Sequence, residues 1–321
     1  MNKKPVLRLS IYLLTTTLIP ITIACSRQNV DRSQGTNLSG SMVYNTLKRT
    51  YHIHVPSNYN KNKSTPLVVA LHGGGGTGKM MDGFTGLSRL SDIKGFIVIY
   101  PDAVEKHWND GRGLHGYRSQ RENIDDVGFI SALIDVIANA YPIDRNRVYV
   151  TGASNGAMMS FRLACELTDK ITAIAPVIGA LTENVSKNCN PSRPMPVLII
   201  GGTADPLVPW EGGHVHLFRK KLGIVLSIPD TARFWAMHNQ CSQEPKISWE
   251  PDTSPDDGTR IRKTVYNNCR DSVEVVLYEV QGGGHTWPNG PQYLPEWIIG
   301  VTSQDMDGAE AIWNFFEKFR R

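Results

Sequence analysis

Short apolar runs alternate along most of the chain with longer segments of helical periodicity. The runs that predict β-strands are Leu67–Leu71, Phe96–Tyr100, Val148–Val150, Val197–Ile200 and Val273–Val280. Most of the earlier runs are apolar at every position, which is typical of parallel strands that are covered on both faces. The pattern therefore favours a sheet buried between two layers of helices.

Three segments have the apolar spacing of helices: Val127–Ala140, Asn155–Leu167 and Asp305–Phe319. Asp125 and Asp126 are placed to cap the start of the first helix. In the last helix, Ile312, Phe316 and Phe319 share one face, which indicates core packing. Alternation of strands and helices predicts the α/β class, with a mostly parallel sheet flanked by helices in a single domain.

The N-terminus has the pattern of an export signal. Lys3, Lys4 and Arg8 precede an uncharged stretch from Leu9 to Ala24, which is too short and too polar to predict a permanent membrane span. The small residue directly before Cys25 resembles a bacterial lipoprotein cleavage site, which would make Cys25 the lipidated residue. Ordinary secretion, with Cys25 inside the discarded peptide, and an uncleaved anchor remain open alternatives.

The sequence accordingly predicts a signal peptide over residues 1–24, a polar tether over residues 25–45 and a catalytic domain over residues 46–321. Hydrophobic residues make up 40% of the chain, enough for a sizeable core. Without the three basic residues of the signal, the net charge falls from +4 to +1. This near-neutral balance gives no argument for a nucleic-acid partner, and membrane attachment would depend on Cys25.

The segment Gly152-Ala153-Ser154-Asn155-Gly156 matches the G-x-S-x-G pattern of a nucleophile elbow. It follows a strand signal and opens a helix signal, which is the setting that this sharp turn requires. The two glycines leave room where a Cβ would clash with the crowded backbone. The pattern predicts Ser154 as the nucleophile.

A second glycine-rich loop, His72-Gly73-Gly74-Gly75-Gly76, follows an earlier strand. Such loops donate backbone N–H groups to a developing oxyanion, and the second donor is the residue after the nucleophile. We therefore expect Gly74 and Asn155 to form the oxyanion hole, and His72 to be structural. A phosphate-binding loop is disfavoured because the G-K-[ST] ending is missing.

The remaining catalytic groups should follow in the order acid, then histidine. Asp205 lies just after the Val197–Ile200 strand, whereas its rival Asp102 precedes the serine. His285 follows the last strand within Gly282-Gly283-Gly284-His285. In this arrangement His285 takes the proton of Ser154, and Asp205 orients the imidazole.

No cofactor motif occurs in the sequence, and no metal ligand set is predicted. His214 and His216 form an H-x-H pair without a third ligand nearby in sequence, so a solvated loop is the better interpretation. The order Ser154, Asp205, His285 together with the glycine loop predicts a serine hydrolase. A carboxylesterase is favoured over a serine peptidase of the same fold, and over a binding protein that retains the fold without activity.

Several longer motifs carry a resemblance to a known family: LHGGGG, DDVGFISALID, YPIDRNRVYVTGASNGAMMSFRLACE, GTADPLVPW and GGGHTWP. Together they resemble the polyhydroxybutyrate depolymerase-like esterases, which include feruloyl and acetylxylan esterases. The resemblance implies the α/β-hydrolase fold, an ester substrate, and Ser154, Asp205 and His285 as the triad. It favours a depolymerase-like activity, with feruloyl or acetylxylan esters of plant polysaccharide as the alternative.

One departure from the family concerns polymer binding. Secreted depolymerases that attack solid polyester usually carry a separate polymer-binding domain, whereas this sequence stops at Arg321, just after its last helix. We therefore expect soluble oligomers, or small aryl or acetyl esters, as substrates.

Four cysteines remain beside Cys25: Cys165, Cys189, Cys241 and Cys269. Four cysteines allow three pairings; sequence proximity favours Cys165–Cys189 and Cys241–Cys269, and free buried thiols are the alternative. The family pattern has cysteines at these positions, which implies two disulfides.

Aromatic residues near the catalytic loops are candidates for the substrate cleft. Trp287 follows the predicted histidine by two positions, Trp210 follows the predicted acid by five, and Trp108 lies in a loop after a strand. Because loops at this edge of the sheet carry specificity, we predict that Trp287 binds substrate. For Trp108 and Trp210, substrate binding and simple packing are both open.

Overall fold

The computed structural model describes residues 35–321. The predicted signal peptide (1–24), the predicted lipidation site Cys25 and the rest of the predicted tether up to residue 34 lie outside the described residues. Among residues 35–321, no helix has both the length and the apolar character that crossing a bilayer requires.

A long mixed sheet forms the centre of the molecule. Its strands are β1 (Thr36–Tyr44), β2 (Leu47–Val55), β3 (Thr65–Leu71), β4 (Ile97–Pro101), β5 (Ile143–Ala153), β6 (Ala173–Val177), β7 (Val197–Gly202), β10 (Lys246–Trp249), β11 (Arg260–Tyr266) and β12 (Val275–Gln281). A separate antiparallel hairpin contains β8 (Gly213–Leu217) and β9 (Lys220–Val225).

The strands of the large sheet are ordered β1-β2-β4-β3-β5-β6-β7-β12-β11-β10. The six central strands, from β4 to β12, are parallel, and antiparallel strands complete both sides. This is the mostly parallel sheet of an α/β-hydrolase, as predicted.

Helices cover both faces of the sheet. They are α1 (Gly78–Thr85), α2 (Leu87–Lys94), α3 (Arg118–Arg121), α4 (Asp126–Ala140), α5 (Asn155–Glu166), α6 (Glu183–Ser186), α7 (Ile228–His238), α8 (Glu296–Ile299) and α9 (Gly308–Phe316).

The central strands separate two hydrophobic cores because successive side chains point to opposite faces. In β3, Leu67, Val69 and Leu71 pack towards α4, α5 and α7, whereas Val68 and Ala70 pack towards α1, α2 and α9. All five residues are fully buried. The uninterrupted apolar runs of the sequence are therefore explained by burial on both faces.

The helices begin and end close to the predicted limits. Asp125 caps α4, its carboxylate accepting a hydrogen bond from the Gly128 N–H. Asp126 does not cap the helix; its buried carboxylate pairs with Arg49 at 2.7 Å. Burial raises the pKa of Asp126, and the Arg49 charge opposes that rise. This ion pair ties α4 to β2.

The predicted tether over residues 25–45 is wrong in its last part. Residues Thr36–Tyr44 form β1, which pairs antiparallel with β2 from Thr36 opposite Val55 to Tyr44 opposite Leu47. The Tyr44 hydroxyl also donates to the Asp125 carboxylate at 2.7 Å. The polar sequence reflects an edge strand with mostly exposed side chains, and the folded domain extends N-terminal to residue 46.

Both predicted disulfides are present, Cys165–Cys189 and Cys241–Cys269. The first joins α5 to the chain after α6, and the second joins the segment after α7 to the loop before β12. Disulfides are characteristic of proteins that fold in an oxidising compartment, which favours export.

Candidate active site

Ser154 occupies the sharp turn between β5 and α5. Its backbone has φ 55° and ψ −116°, a region that side-chain-bearing residues rarely adopt. A Cβ on Gly152 would lie 2.4 Å from the Gly156 carbonyl oxygen, and one on Gly156 would lie 2.2 Å from that of Leu71. Only glycine fits at both positions, so the strand–turn–helix setting predicted for this motif is present.

The glycine loop after β3 lies beside this turn. A Cβ on Gly73 would be 3.5 Å from the Ser154 Cβ. The Gly75 N–H donates to the Lys106 carbonyl at 2.9 Å, and the Gly76 N–H donates to the Gly73 carbonyl at 3.0 Å. Among the described residues, the Gly74 N–H has no such acceptor, and it remains available to a ligand.

Asn155 is the first residue of α5, where backbone N–H groups have no partner within the helix. Its N–H and the positive end of the helix dipole therefore lie next to the Ser154 side chain. This position suits the second donor of an oxyanion hole.

Asp205 and His285 form a buried pair. The His285 Nδ1 lies 2.7 Å from Asp205 Oδ2, and both side chains are almost completely buried. The other carboxylate oxygen accepts hydrogen bonds from the Leu207 and Val208 N–H groups at 2.8 and 2.9 Å. Since the carboxylate holds the proton on Nδ1, Nε2 of His285 is left as the basic nitrogen.

The backbone of the histidine loop is held by the segment that follows it. The Gly284 N–H donates to the Val301 carbonyl at 2.9 Å, and the His285 N–H donates to Ile299. A Cβ on Gly284 would be 2.1 Å from the Ile299 carbonyl oxygen, so a glycine is needed for this close approach. The glycines before the histidine thus serve to pack the loop tightly.

Tyr293 was not identified from the sequence. Its hydroxyl donates to the His285 carbonyl at 3.1 Å. Burial, followed by the negative charge of Asp205, raises the pKa of Tyr293 to about 12. The hydroxyl is therefore protonated throughout the physiological range, which makes it a permanent donor to the histidine loop.

Ser154, Asp205 and His285 follow β5, β7 and β12, which run parallel within one row of adjacent strands. Their loops therefore meet at the carboxyl edge of the sheet, where such folds place ligands. The structure shows the Asp205–His285 contact directly. The hydroxyl of half-exposed Ser154 makes no hydrogen bond to the described residues; such bonds are often long before substrate binds.

The Asn155 side chain holds the loop after β4 against the nucleophile helix. Its Oδ1 accepts from the Trp108 N–H at 2.8 Å, and its Nδ2 donates to the Asp110 carboxylate at 2.6 Å. Asp110 is fully buried and also pairs with Arg112 at 2.7 Å. These contacts fix the position of Asn155. They could not be predicted because the partners are far apart along the chain.

His72 and Asp102 both have structural roles. His72 Nε2 accepts from the Ala103 N–H at 3.0 Å, so its Nδ1 donates to the Gly73 carbonyl at 2.8 Å. Burial lowers the pKa of His72, which favours this neutral form. Asp102 accepts hydrogen bonds from the Gly78 N–H and the Thr50 hydroxyl, and makes no contact with His285.

The structure contradicts the substrate-binding role predicted for Trp287, and of the two alternatives for Trp108 it favours packing. Trp108 is fully buried, and its indole N–H donates to the His72 carbonyl at 3.0 Å. Trp287 is 1% exposed and packs edge-on against Phe84. Neither presents a face to solvent. Trp210 is half-buried, and its role stays a prediction.

Exposed apolar residues near the histidine lie elsewhere, on the segment from Tyr293 to Ile299. Trp297 is 82% exposed, and Tyr293 and Leu294 are each 43% exposed. Because Tyr293 and Ile299 both contact the His285 backbone, this apolar group lies close to the Asp205–His285 pair.

A comparison with protein families assigns the chain to an esterase family. Residues 49–209, half of the chain, match the sequence model of the family described as esterase PHB depolymerase. The chain belongs to this family. It is a carboxylic ester hydrolase.

Curated relatives have esterase names. A Nocardia uniformis subsp. tsuyamanensis protein named as an esterase, NocK, is 28% identical over 88% of this chain and 83% of its own length. Feruloyl esterase B of Piromyces equi is 28% identical over 74% of this chain, but only 42% of its own length is covered. The chain thus spans less than half of that second relative.

Solved structures share the fold. The acetyl xylan esterase from Aspergillus awamori is 18% identical with a TM-score of 0.58, covering 87% of this chain and 99% of its own. A ferulic acid esterase from Anaeromyces mucronatus is 17% identical with a TM-score of 0.51, covering 96% and 98%. At these identities the likeness supports the α/β-hydrolase architecture alone.

Proposed function

We propose that the protein is an exported serine esterase in which Ser154, Asp205 and His285 form the catalytic triad. The hydrogen bond of 2.7 Å between buried Asp205 and His285 is the observation that carries this proposal. His285 Nε2 removes the Ser154 hydroxyl proton while Oγ attacks the ester carbon. The imidazolium then protonates the departing alcohol, and water releases the acyl group by the same steps.

The oxyanion of the tetrahedral intermediate would be held by the backbone N–H groups of Gly74 and Asn155. Both donors lie in rigid surroundings: the glycine loop is bound through His72, and the Asn155 side chain is bound to Trp108 and Asp110. Donors that are fixed before the reaction stabilise the transition state without reorganising.

Two substrate classes are supported. The family description favours polyhydroxybutyrate-type esters, whereas relatives named feruloyl esterase and acetylxylan esterase favour acyl groups on plant polysaccharide. The apolar residues Tyr293, Leu294 and Trp297 would contact the acyl or aryl part of either ester. The prediction of an exported enzyme is supported by the two disulfides, and lipid attachment through Cys25 stays a proposal.

Replacement of the nucleophile tests the mechanism. For Ser154→Ala we expect kcat on nitrophenyl esters to fall by about 10⁴- to 10⁶-fold. Ser248→Ala is the matched control, since Ser248 is exposed on β10. Equal activity of Ser154→Ala and wild type would show that Ser154 is not the nucleophile, and an inactive wild type would contradict the proposed activity.

The acyl preference of the wild-type enzyme then separates the two substrate classes. Turnover of hydroxybutyrate oligomers above that of acetyl and feruloyl esters supports the depolymerase-like function. The reverse preference supports a polysaccharide esterase.

A further inference from the structure

The hairpin β8–β9 ends in an unusual group of residues, which we call the hairpin tip: Leu217, Phe218, Arg219, Lys220 and Lys221. All five are exposed, and Phe218 is 77% exposed. A phenylalanine ring that is exposed beside three consecutive cations does not stabilise the fold. The composition of the tip therefore needs an explanation outside the core.

The positive charge of the tip is not neutralised locally. Arg219, Lys220 and Lys221 take part in none of the ion pairs between described residues. No acidic residue occurs between positions 212 and 229, so the hairpin carries three cations and no anion. Since residues 25–321 together carry a net charge of only +1, this is a local concentration of charge that attracts anionic ligands.

The turn conformation also disfavours phenylalanine. Leu217 pairs with Lys220, so Phe218 and Arg219 form a two-residue turn. Phe218 has φ 54°, a left-handed conformation that favours glycine or asparagine at this kind of turn. Neither the backbone nor burial explains a phenylalanine here, and strained positions of this kind cluster at functional sites.

Both ends of the hairpin adjoin the candidate active site. The His216 N–H donates to the Leu207 carbonyl, two residues after Asp205, at 2.7 Å. On the other strand, Val225 forms a bridge with Thr182, and the Leu226 N–H donates to the Leu181 carbonyl at 2.9 Å.

The segment that contains Leu181 also lies against the nucleophile turn. The chain carrying Leu181 passes through Gly179, where a Cβ would lie 2.9 Å from the Ser154 carbonyl oxygen. Arg112 donates to the Leu222 carbonyl at 3.0 Å, and it also pairs with Asp110, which accepts a hydrogen bond from the Asn155 side chain. The hairpin is thus attached to both the acid loop and the nucleophile turn.

The two ends of the hairpin contact different parts of the site. His216, whose N–H binds the Leu207 carbonyl, directly precedes the tip and pairs with Lys221, whereas Val225 lies at the opposite end beside Thr182. From Val225 to Lys220 the strand covers five residue steps, which at about 3.3 Å per residue is roughly 17 Å. A ligand that extends from the Thr182 side of the site to the tip must therefore span a similar distance, which a sugar chain does and a small ester does not.

We propose that the hairpin tip binds an anionic polysaccharide, a sugar chain bearing carboxylates, and holds it while an ester on that chain reacts at Ser154. The three cations bind carboxylates, and the Phe218 ring packs against the apolar face of a sugar ring. This inference rests on the proposed esterase function and narrows its substrate. Attachment of the hairpin to the acid loop favours a substrate polymer over an anionic membrane.

Binding tests the proposal independently of catalysis. We would compare Arg219→Gln/Lys220→Gln/Lys221→Gln with Lys48→Gln/Lys61→Gln/Lys63→Gln, which removes the same charge from exposed lysines outside the hairpin. Both sets would be made in the Ser154→Ala protein and titrated with polygalacturonate at two salt concentrations. We expect the tip variant to bind about tenfold more weakly, the control to bind like the parent, and added salt to weaken the parent.

Phe218→Ser, in the same Ser154→Ala background, tests the ring contact without changing the charge. We expect weaker binding of polygalacturonate than by the parent. Unchanged binding would overturn the role assigned to Phe218.

Kinetics with the active enzyme complete the test. On acetylated glucuronoxylan, we expect the tip variant to show about a tenfold higher KM, with kcat/KM unchanged on nitrophenyl acetate and on acetylated neutral xylan. Equal loss on all substrates, or no loss on the acidic polymer, would overturn the proposal. Tip-dependent binding to phosphatidylglycerol vesicles without binding to polygalacturonate would overturn it in favour of a membrane contact. Failure of nitrophenyl ester turnover in the wild type would instead refute the esterase function.

Discussion

At the residue scale, the two aspartates that follow strands near the site have different surroundings. Asp205 contacts His285, whereas Asp102 is held by Gly78 and Thr50. For Asp205→Asn we expect kcat to fall by about 10³- to 10⁴-fold, because the amide no longer fixes the imidazole tautomer. For Asp102→Asn we expect a lower Tm with kcat changed by less than about tenfold. Steady-state kinetics and thermal unfolding of both variants check this; a larger kcat loss in Asp102→Asn would reverse the assignment.

His107 gives the protein a specific sensitivity to acid. Its ring stacks on Tyr117 beside Gly74, and burial, followed by the Arg112 charge, lowers its pKa to about 4. Between pH 6.5 and 4 the unfolded chain therefore binds a proton that the folded protein does not, so the unfolding free energy decreases as pH falls.

We expect His107 to contribute on the order of 1–2 kcal/mol to this decrease, a figure discounted for its partial exposure. His107→Phe keeps an aromatic ring for the stack and removes the titration. Urea unfolding at pH 7 and pH 4.5 should show a smaller loss in the variant than in the wild type. An equal loss would show that other groups cause the acid sensitivity.

The candidate triad could be predicted because its residues follow a characteristic order along the chain and lie beside characteristic glycine patterns. The direction in which the tryptophan side chains point could not be predicted. Trp287 lies two positions after His285, but proximity along the chain does not determine which way a side chain points, and its ring packs into the core. Tyr293 was missed for a related reason, since its contact with the His285 carbonyl depends on how the intervening loop returns.

At the element scale, the sequence predicts five of the six central parallel strands, but not β6 and not the strands on either side of them. A strand such as β3 can be recognised from its sequence, because both of its faces are covered and the run Leu67–Leu71 is therefore apolar at every position. The edge strand β1 is polar, and β6 contains two alanines and Pro176, so neither has the composition of a typical strand. The neighbours of such segments in the sheet determine their structure, and a local pattern does not contain that information.

The disulfide Cys165–Cys189 links α5 to the chain after α6 across 24 positions. Loop-closure entropy for a loop of this length predicts that Cys165→Ala/Cys189→Ala lowers the unfolding free energy by about 3 kcal/mol. Urea unfolding of the variant and of the oxidised wild type measures the difference. Reduced wild type, in which both disulfides are open, should be at least as unstable. A variant as stable as the oxidised wild type would show that the link does not restrict the unfolded chain.

At the scale of the whole molecule, the folded domain includes β1. A chain that starts at residue 35 retains the pairing with β2 and the Tyr44–Asp125 hydrogen bond, whereas a chain that starts at residue 46 loses both. We expect the free energy of unfolding of the shorter chain to be lower by at least about 2 kcal/mol. Equal denaturation midpoints and slopes for the two chains would contradict this and restore residues 36–45 to a tether.

The position of β12 determines when the enzyme can first act. This strand inserts between β7 and β11, although it lies near the end of the sequence, and His285 follows it directly. A chain emerging from the ribosome therefore carries Ser154 long before it carries His285, the proposed base. The candidate site is complete only after the last strands of the sheet have been synthesised and have folded, so we expect no ester turnover by shorter chains.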